Sequence, residues 1–261
     1  MKTFAVYGKG GIGKSTISSN IAACLSGDGL NTMLVGCDPK ADTAINIVGR
    51  RIRPLLDIMK ESRRPDPSLF IVKGYNGVSC VEIGGPEPGI GCAGRGLIIG
   101  IRHLIQEGLL KEYDVVIFDV PADIVCGGLA VVVKEGYAEV ALIATSDEFM
   151  SLYAANNLCR GFKTLRVKVG GIVYNRGSPE GREYVKRLSE RIGIPQLGEI
   201  PSSDVVKKSD RMNKTVIEAF PLSAEADAFR AIARRVLGST ACAIPNFITE
   251  NEVGLLGNER A

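Results

Sequence analysis

The amino-acid sequence predicts an α/β fold: a mostly parallel sheet with helices on both faces, forming a single domain over residues 1–261. Two observations carry that expectation. Short runs rich in β-branched residues alternate with stretches of helical period, and a strand–helix–strand rhythm of this kind builds parallel sheets. Most of those runs are continuously apolar, the pattern of strands buried on both faces.

In chain order, strands are expected at residues 3–7, 32–36, 114–119, 140–144, 169–174 and 196–200. Helices are expected between and after them at 14–26, 96–108, 150–164, 179–193 and 224–237. The first helix carries Ile17, Ile21, Cys24 and Leu25 at i, i+4, i+7 and i+8, a single apolar stripe. Residues 50–91, rich in Gly, Pro and Arg, read as a long functional loop region inside the same domain. A chain of 261 residues, 45% apolar and 23% charged, suits one sizeable core and not two ordinary domains with linkers.

Composition excludes several classes. No apolar run reaches the roughly 18 residues of a membrane helix, and Met1 to Tyr7 reads straight into a strand, so neither a membrane span nor a signal peptide is expected. Seven cysteines in such a chain point to a reducing compartment, the cytoplasm, and to thiols with a task. The net charge is +3, and the basic residues come in small groups such as Arg50, Arg51 and Arg53. They make no stripe of the kind that binds nucleic acid. A lone histidine, His103, falls mid-helix and leaves no His-rich metal site.

The first strand runs into Gly8, Lys9, Gly10, Gly11, Ile12, Gly13, Lys14, Ser15 and Thr16, which fits G-x-x-x-x-G-K-[ST] between a strand and a helix. Glycines let backbone N–H groups converge on phosphate oxygens, and the helix N-terminus adds partial positive charge. Lys14 neutralises the β- and γ-phosphates, and the Ser15 hydroxyl is placed to ligate Mg²⁺. The sequence therefore predicts a P-loop NTPase fold that binds ATP or GTP.

Two acids end strands at the same edge, where open α/β sheets bind ligands. Asp119 closes Val115-Val116-Ile117-Phe118, a Walker B pattern, with Asp123 just beyond it; such a carboxylate holds the Mg²⁺ shell. Asp38, after the second strand, is placed to orient or deprotonate the attacking water. Asp42 reads equally well as a helix cap.

Lys9 stands inside the loop, which resembles the deviant P-loop G-K-G-G-x-G-K-[ST] of partitioning ATPases, arsenite-pump ATPases and the nitrogenase iron protein. In that family the extra lysine reaches the partner subunit's phosphates, so the resemblance implies that Lys9 acts in trans. Further segments narrow the likeness: Gly36-Cys37-Asp38-Pro39-Lys40-Ala41-Asp42, the run from Gly84 to Gly96 through Cys92, Val125-Cys126-Gly127-Gly128, and Tyr153 to Asn157. From the first strand to about Asn246 the chain is similar to the nitrogenase iron protein family, which also includes the ATP-dependent reductases of protochlorophyllide and chlorophyllide.

That resemblance implies that Cys92 and Cys126 ligate a 4Fe–4S cluster, while Cys24, Cys80, Cys159 and Cys242 read as small buried apolar residues. Cys37 stays open. A cubane held by thiolates takes four cysteines, so two per chain imply a homodimer with one cluster on its two-fold axis. Asn175 is implied as an adenine contact, although a polar strand-end residue is an equal reading. Mg-ATP and the cluster are the expected cofactors, with Lys9, Lys14, Asp38 and Asp123 carrying hydrolysis.

Asp123 and Cys126 lie so close in sequence that a nucleotide-dependent shift should move the cluster ligand. The function implied is electron transfer to a larger cluster- or tetrapyrrole-reducing protein that docks near Arg95, the family's ADP-ribosylation position. The expected electron donor is a low-potential ferredoxin or flavodoxin; no nucleic acid or membrane partner is expected. Three features depart from nitrogenase iron proteins: Pro121-Ala122 stands in place of Leu-Gly, the stretch Ile200-Pro201-Ser202-Ser203-Asp204 differs from the usual Pro-Arg-Asp, and the chain ends soon after Glu250. Two other classes remain, a non-redox partitioning or positioning ATPase and an iron–sulfur carrier ATPase. The sequence has neither the basic C-terminal helix of the first nor the C-x-x-C of the second.

Overall fold

The computed structural model describes residues 1–85, 93–121, 131–238 and 242–256. Strands β1 (Lys2–Gly8), β2 (Thr32–Gly36), β3 (Val72–Lys73), β4 (Ser79–Glu82), β5 (Val115–Asp119), β6 (Val140–Thr145), β7 (Val169–Gly177) and β8 (Gln196–Pro201) form one sheet in the order β3-β4-β2-β5-β1-β6-β7-β8. All neighbours pair parallel except β3 with β4. Each of the six expected strands is present.

The expectation that residues 50–91 form one long loop is corrected by β3, β4 and the short helix α3 (Leu55–Met59). Strand β4 is fully buried against β2 despite its short, mixed sequence Ser-Cys-Val-Glu. Its burial comes from its place between two strands, which no local periodicity announces.

The sheet separates two apolar layers, and successive residues of β1 alternate between them. Ala5 and Tyr7 face one layer, with α4 (Ala93–Gln106), α6 (Phe149–Leu165) and α7 (Arg182–Ile192); the Tyr7 and Phe162 rings meet edge-on at 5.0 Å. Phe4 and Val6 face the other, with α1 (Lys14–Gly27) and α10 (Ala224–Gly238). Helices α1 and α10 pack directly together, and of the short helices α8 (Asp204–Arg211) and α9 (Val216–Ala219) that precede α10 in the chain, α9 packs against both. Buried Asn20 locks α1 to α9: its Oδ1 accepts from Val216 N at 2.8 Å while its Nδ2 donates to Thr16 O.

Expected helix ends shift by a few residues. The helix expected from 179 begins at Arg182, after the proline and glycine of the preceding turn, and the one expected from 96 begins by Ala93. His103 is mid-helix as expected, buried on α4 beside Phe70, with ring centroids 6.1 Å apart.

Candidate functional site

Parallel pairing carries the ends of β1, β2, β4 and β5 to one edge. There Val6, Asp119, Gly36 and Glu82 stand in adjacent register across four strands. Asp119 is buried, and its Oδ2 accepts from Ser15 Oγ at 2.6 Å and from Thr43 Oγ1 at 2.7 Å. Burial raises its pKa, opposed by those two hydrogen bonds and by the Lys14 charge.

The loop between β1 and α1 is built around Gly13, left-handed at φ 96°, which caps α1 without any side-chain cap. A Cβ at Gly13 would stand 2.5 Å from Asn175 Nδ2. That amide donates to Ile12 O at 2.6 Å, and the Arg176 guanidinium donates to Gly11 O at 2.8 Å. Asn175 and Arg176, near the end of β7, thus hold the loop from below, and Arg176 does so at a positive φ of 57°. Lys14 Nζ lies over the loop, donating to Gly8 O at 3.1 Å and Lys9 O at 3.3 Å. Lys9 reaches outward to Glu148 at 3.6 Å, an exposed pair of little energetic weight.

A cleft of about 560 Å³ follows, lined by Gly10, Gly11, Gly13, Lys14, Ser15 and Thr16 together with Asp38, Lys40, Asp42 and Asp119. Asp38 Oδ1 accepts from Lys40 N at 2.9 Å. The residue at the start of α2 (Ile45–Val48) is Ala44, so Asp42 is a cleft residue and not the cap of that helix. A second cleft of about 380 Å³ shares Gly13, Thr16, Arg176 and Asp210 with the first and adds Asn175, Pro201, Ser202 and Ser203. The structure therefore brings Ser15, Lys14, Asp38, Asp119 and Asn175 around one continuous depression; Lys9 sits at its outer side. Asp123, Cys92 and Cys126 lie outside the described residues.

Four residues of this site were not singled out by sequence: Thr43, Glu82, Arg176 and Asp210. Thr43 and Arg176 directly follow Asp42 and Asn175, so adjacency was their one available signal. The other cysteines divide. Cys24, Cys80 and Cys159 are buried as expected, whereas Cys242 is half-buried. Cys37 is buried, and burial, then the charges of Asp119, Glu82 and Asp38, hold its thiol well above the ordinary value. That makes it an unreactive packing residue. Among the described residues, no helix is long and apolar enough to cross a membrane.

Glu82 is buried; its Oε1 accepts from Ala44 N at 2.6 Å, and its Oε2 has no hydrogen-bond partner among the described residues. Burial pushes its carboxyl up to about 8, against the pull of the Ala44 amide. The folded chain thus keeps the proton up to about pH 8, whereas an unfolded glutamate releases it near 4.5. Stability from this group is full below the lower value and falls as pH rises through the window. Replacing Glu82 by Gln should abolish that slope. In urea unfolding, the Gln variant should gain on the wild type between those pH values, by at most about 5 kcal/mol. A difference that stays flat with pH would contradict the shift.

A model of the 4Fe-4S iron sulfur cluster binding proteins of the NifH/frxC family matches residues 2–259. Nitrogenase iron protein 2 of Methanothermobacter thermautotrophicus is 47% identical over 254 residues, covering 97% of this chain and 96% of that protein. Nitrogenase iron protein 2 of Methanobacterium ivanovii is 46% identical over 246 residues, 94% of this chain and 93% of its own. Among solved structures, the MinD cell division protein of Aquifex aeolicus superposes with a TM-score of 0.71 at 21% identity, over 95% of this chain and all of that one. A ParA family ATPase from Chlorobium tepidum gives 0.71 at 23% identity, over 89% of this chain and 98% of its own. Likeness at that identity speaks for the fold alone. The chain belongs to the NifH/frxC family of 4Fe-4S iron sulfur cluster binding proteins, as an ATP-hydrolysing reductase.

Proposed function

We propose that this chain, as a homodimer of single-domain subunits, hydrolyses Mg-ATP in the cleft beside Asp119 to drive electrons from a bridging 4Fe–4S cluster into a larger catalytic protein. The observation that carries the ATP side is the meeting of Ser15 and Thr43 on one buried oxygen of Asp119, at the foot of the P-loop. The residues present fit Mg-ATP. No side chain caps α1, so its first N–H groups remain for phosphate oxygens. Gly8 through Thr16 supply the cradle, and Lys14 supplies the countercharge. Ser15 and Asp119 supply the hard oxygen ligands that Mg²⁺ prefers.

In this reading Asp38, on the cleft wall, orients or deprotonates the attacking water, and Asp123 relays the state of the γ-phosphate. Asn175, whose amide nitrogen donates to the loop, lines the adjoining cleft, and in this reading it contacts the adenine there. Lys9, held in its own subunit by a weak exposed pair, is available to the partner's phosphates. Cys92 and Cys126 of two chains supply the thiolates of a cluster, which when bound provides a low-potential electron store. Arg95 is exposed on the first turn of α4, three residues beyond Cys92, and marks the docking face for a nitrogenase or tetrapyrrole-reducing partner. A ferredoxin or flavodoxin is the proposed donor.

Anaerobic preparation should yield about four iron per dimer with a reduced-cluster EPR signal. Cys92→Ser or Cys126→Ser should abolish both, and Cys24→Ala should leave them. A full signal in the Cys126 variant would remove that residue from the ligand set.

Lys14→Gln should weaken nucleotide binding directly, by roughly 10-fold or more for a lost charge-assisted contact. Lys9→Gln should spare affinity and slow hydrolysis in the dimer. Equal losses of affinity in the two variants would place Lys9 within its own subunit's site.

Arg95→Glu should keep iron content, ATP binding and reduction by dithionite while losing electron delivery to the native acceptor. Delivery at the wild-type rate would clear Arg95 of the docking face.

A further inference from the structure

We infer that Glu82 is a positioning residue: by holding the Ala44 amide it sets Thr43 on Asp119 and so governs how firmly Mg-nucleotide is held. The inference rests on the assignment of Asp119 and Ser15 to the Mg²⁺ site made above.

The geometry begins in the sheet. Glu82 and Asp119 flank Gly36 in register, one strand to either side, so all three present the same face. Gly36 leaves the space between the two acids open. A Cβ there would stand 1.9 Å from Glu82 Oε2 and 2.9 Å from Thr43 Cβ. Into that space descends the segment between β2 and α2. Ala44 N donates to Glu82 Oε1 at 2.6 Å, and the preceding residue, Thr43, donates its hydroxyl to Asp119 Oδ2 at 2.7 Å. Thr43 and Ala44 are both buried. The one segment is thus pinned at adjacent residues to two buried acids on different strands.

A carboxyl is an expensive way to fill this position, since its second oxygen is buried without a partner among the described residues, and an unsatisfied buried group costs about 1–3 kcal/mol. Capping the four-residue helix α2 offers small return for that cost. Fixing the Thr43 hydroxyl on the same Asp119 oxygen that Ser15 engages gives Glu82 a larger consequence, because it sets the orientation of a carboxylate in the cleft.

The test separates reach from charge. Glu82→Gln keeps an oxygen at the same reach, whereas Glu82→Asp keeps the acid and withdraws it by one methylene. Binding of a fluorescent ATP analogue is titrated in EDTA and again against Mg²⁺, and Ala44 amide exchange is followed in the nucleotide-free protein. The Asp variant should need about 5-fold more Mg²⁺ for half-maximal enhancement of binding, the equivalent of one lost hydrogen bond. It should also exchange its Ala44 amide faster, with affinity in EDTA unchanged. The Gln variant should match the wild type in all three. An Asp variant indistinguishable from wild type, a Gln variant as weak as Asp, or losses equal with and without Mg²⁺ would each overturn the inference. Asp119→Asn is the control for its foundation: if that change leaves the Mg²⁺ requirement intact, the Mg²⁺ assignment itself fails, whatever Glu82 does.

Discussion

Everything at the functional edge depends on the register of parallel strands around β5. Asp119 pairs with Val6 on one side and with Gly36 on the other, and Glu82 follows on β4. Because side chains alternate across a sheet, a slip of one residue in β5 would carry Asp119 to the face of α4 and α6. Neither Ser15 on α1 nor Thr43 before α2 could then reach it. The apolar layers enforce the register: Val115 and Ile117 are buried in one and Val116 and Phe118 in the other, so a slip would exchange both sets at once. Hydrophobic burial thus fixes the position of a polar group whose own burial is unfavourable.

Much of this was legible in the sequence because the signals are local. The P-loop reads from nine consecutive residues, and its context needs only a run of apolar residues before it and a helical stripe after it. The six long or β-branched strands read from composition. Strand β4 did not, since Ser79 and Glu82 are polar ends on a four-residue strand whose burial depends on what lies beside it. Glu82 was therefore invisible as part of the site, and so was the contact of Thr43 with Asp119, which joins residues 76 positions apart. Arg176 was hidden for another reason. A charged residue in the left-handed region at a strand end has no propensity signature, and its work, holding Gly11 O, is visible only in three dimensions.

The fold by itself does not separate an electron carrier from a positioning ATPase. MinD and ParA proteins share this architecture over nearly the whole chain at 21% and 23% identity. The family match, which runs over residues 2–259, is what separates them, and in the proposed reading Cys92 and Cys126 carry the difference. This division is what a reusable scaffold predicts: the sheet and the phosphate loop solve a binding problem common to many proteins, and a few residues on the loops decide what the hydrolysis drives.

Those two levels meet at the end of β5. Val120 and Pro121 line the nucleotide cleft directly beyond Asp119, and in the proposed reading Cys126 lies only five residues past Pro121. Even fully extended, Asp119 to Cys126 spans at most about 25 Å, so in that reading nucleotide and cluster are joined by one short covalent path. Its first links are constrained. Val120 is buried with its amide bonded to Val6 O, and Pro121 has its φ fixed by its ring. A path that is stiff where it leaves the nucleotide passes displacement onward instead of absorbing it locally. In the proposed reading Pro121 therefore belongs to the coupling element itself.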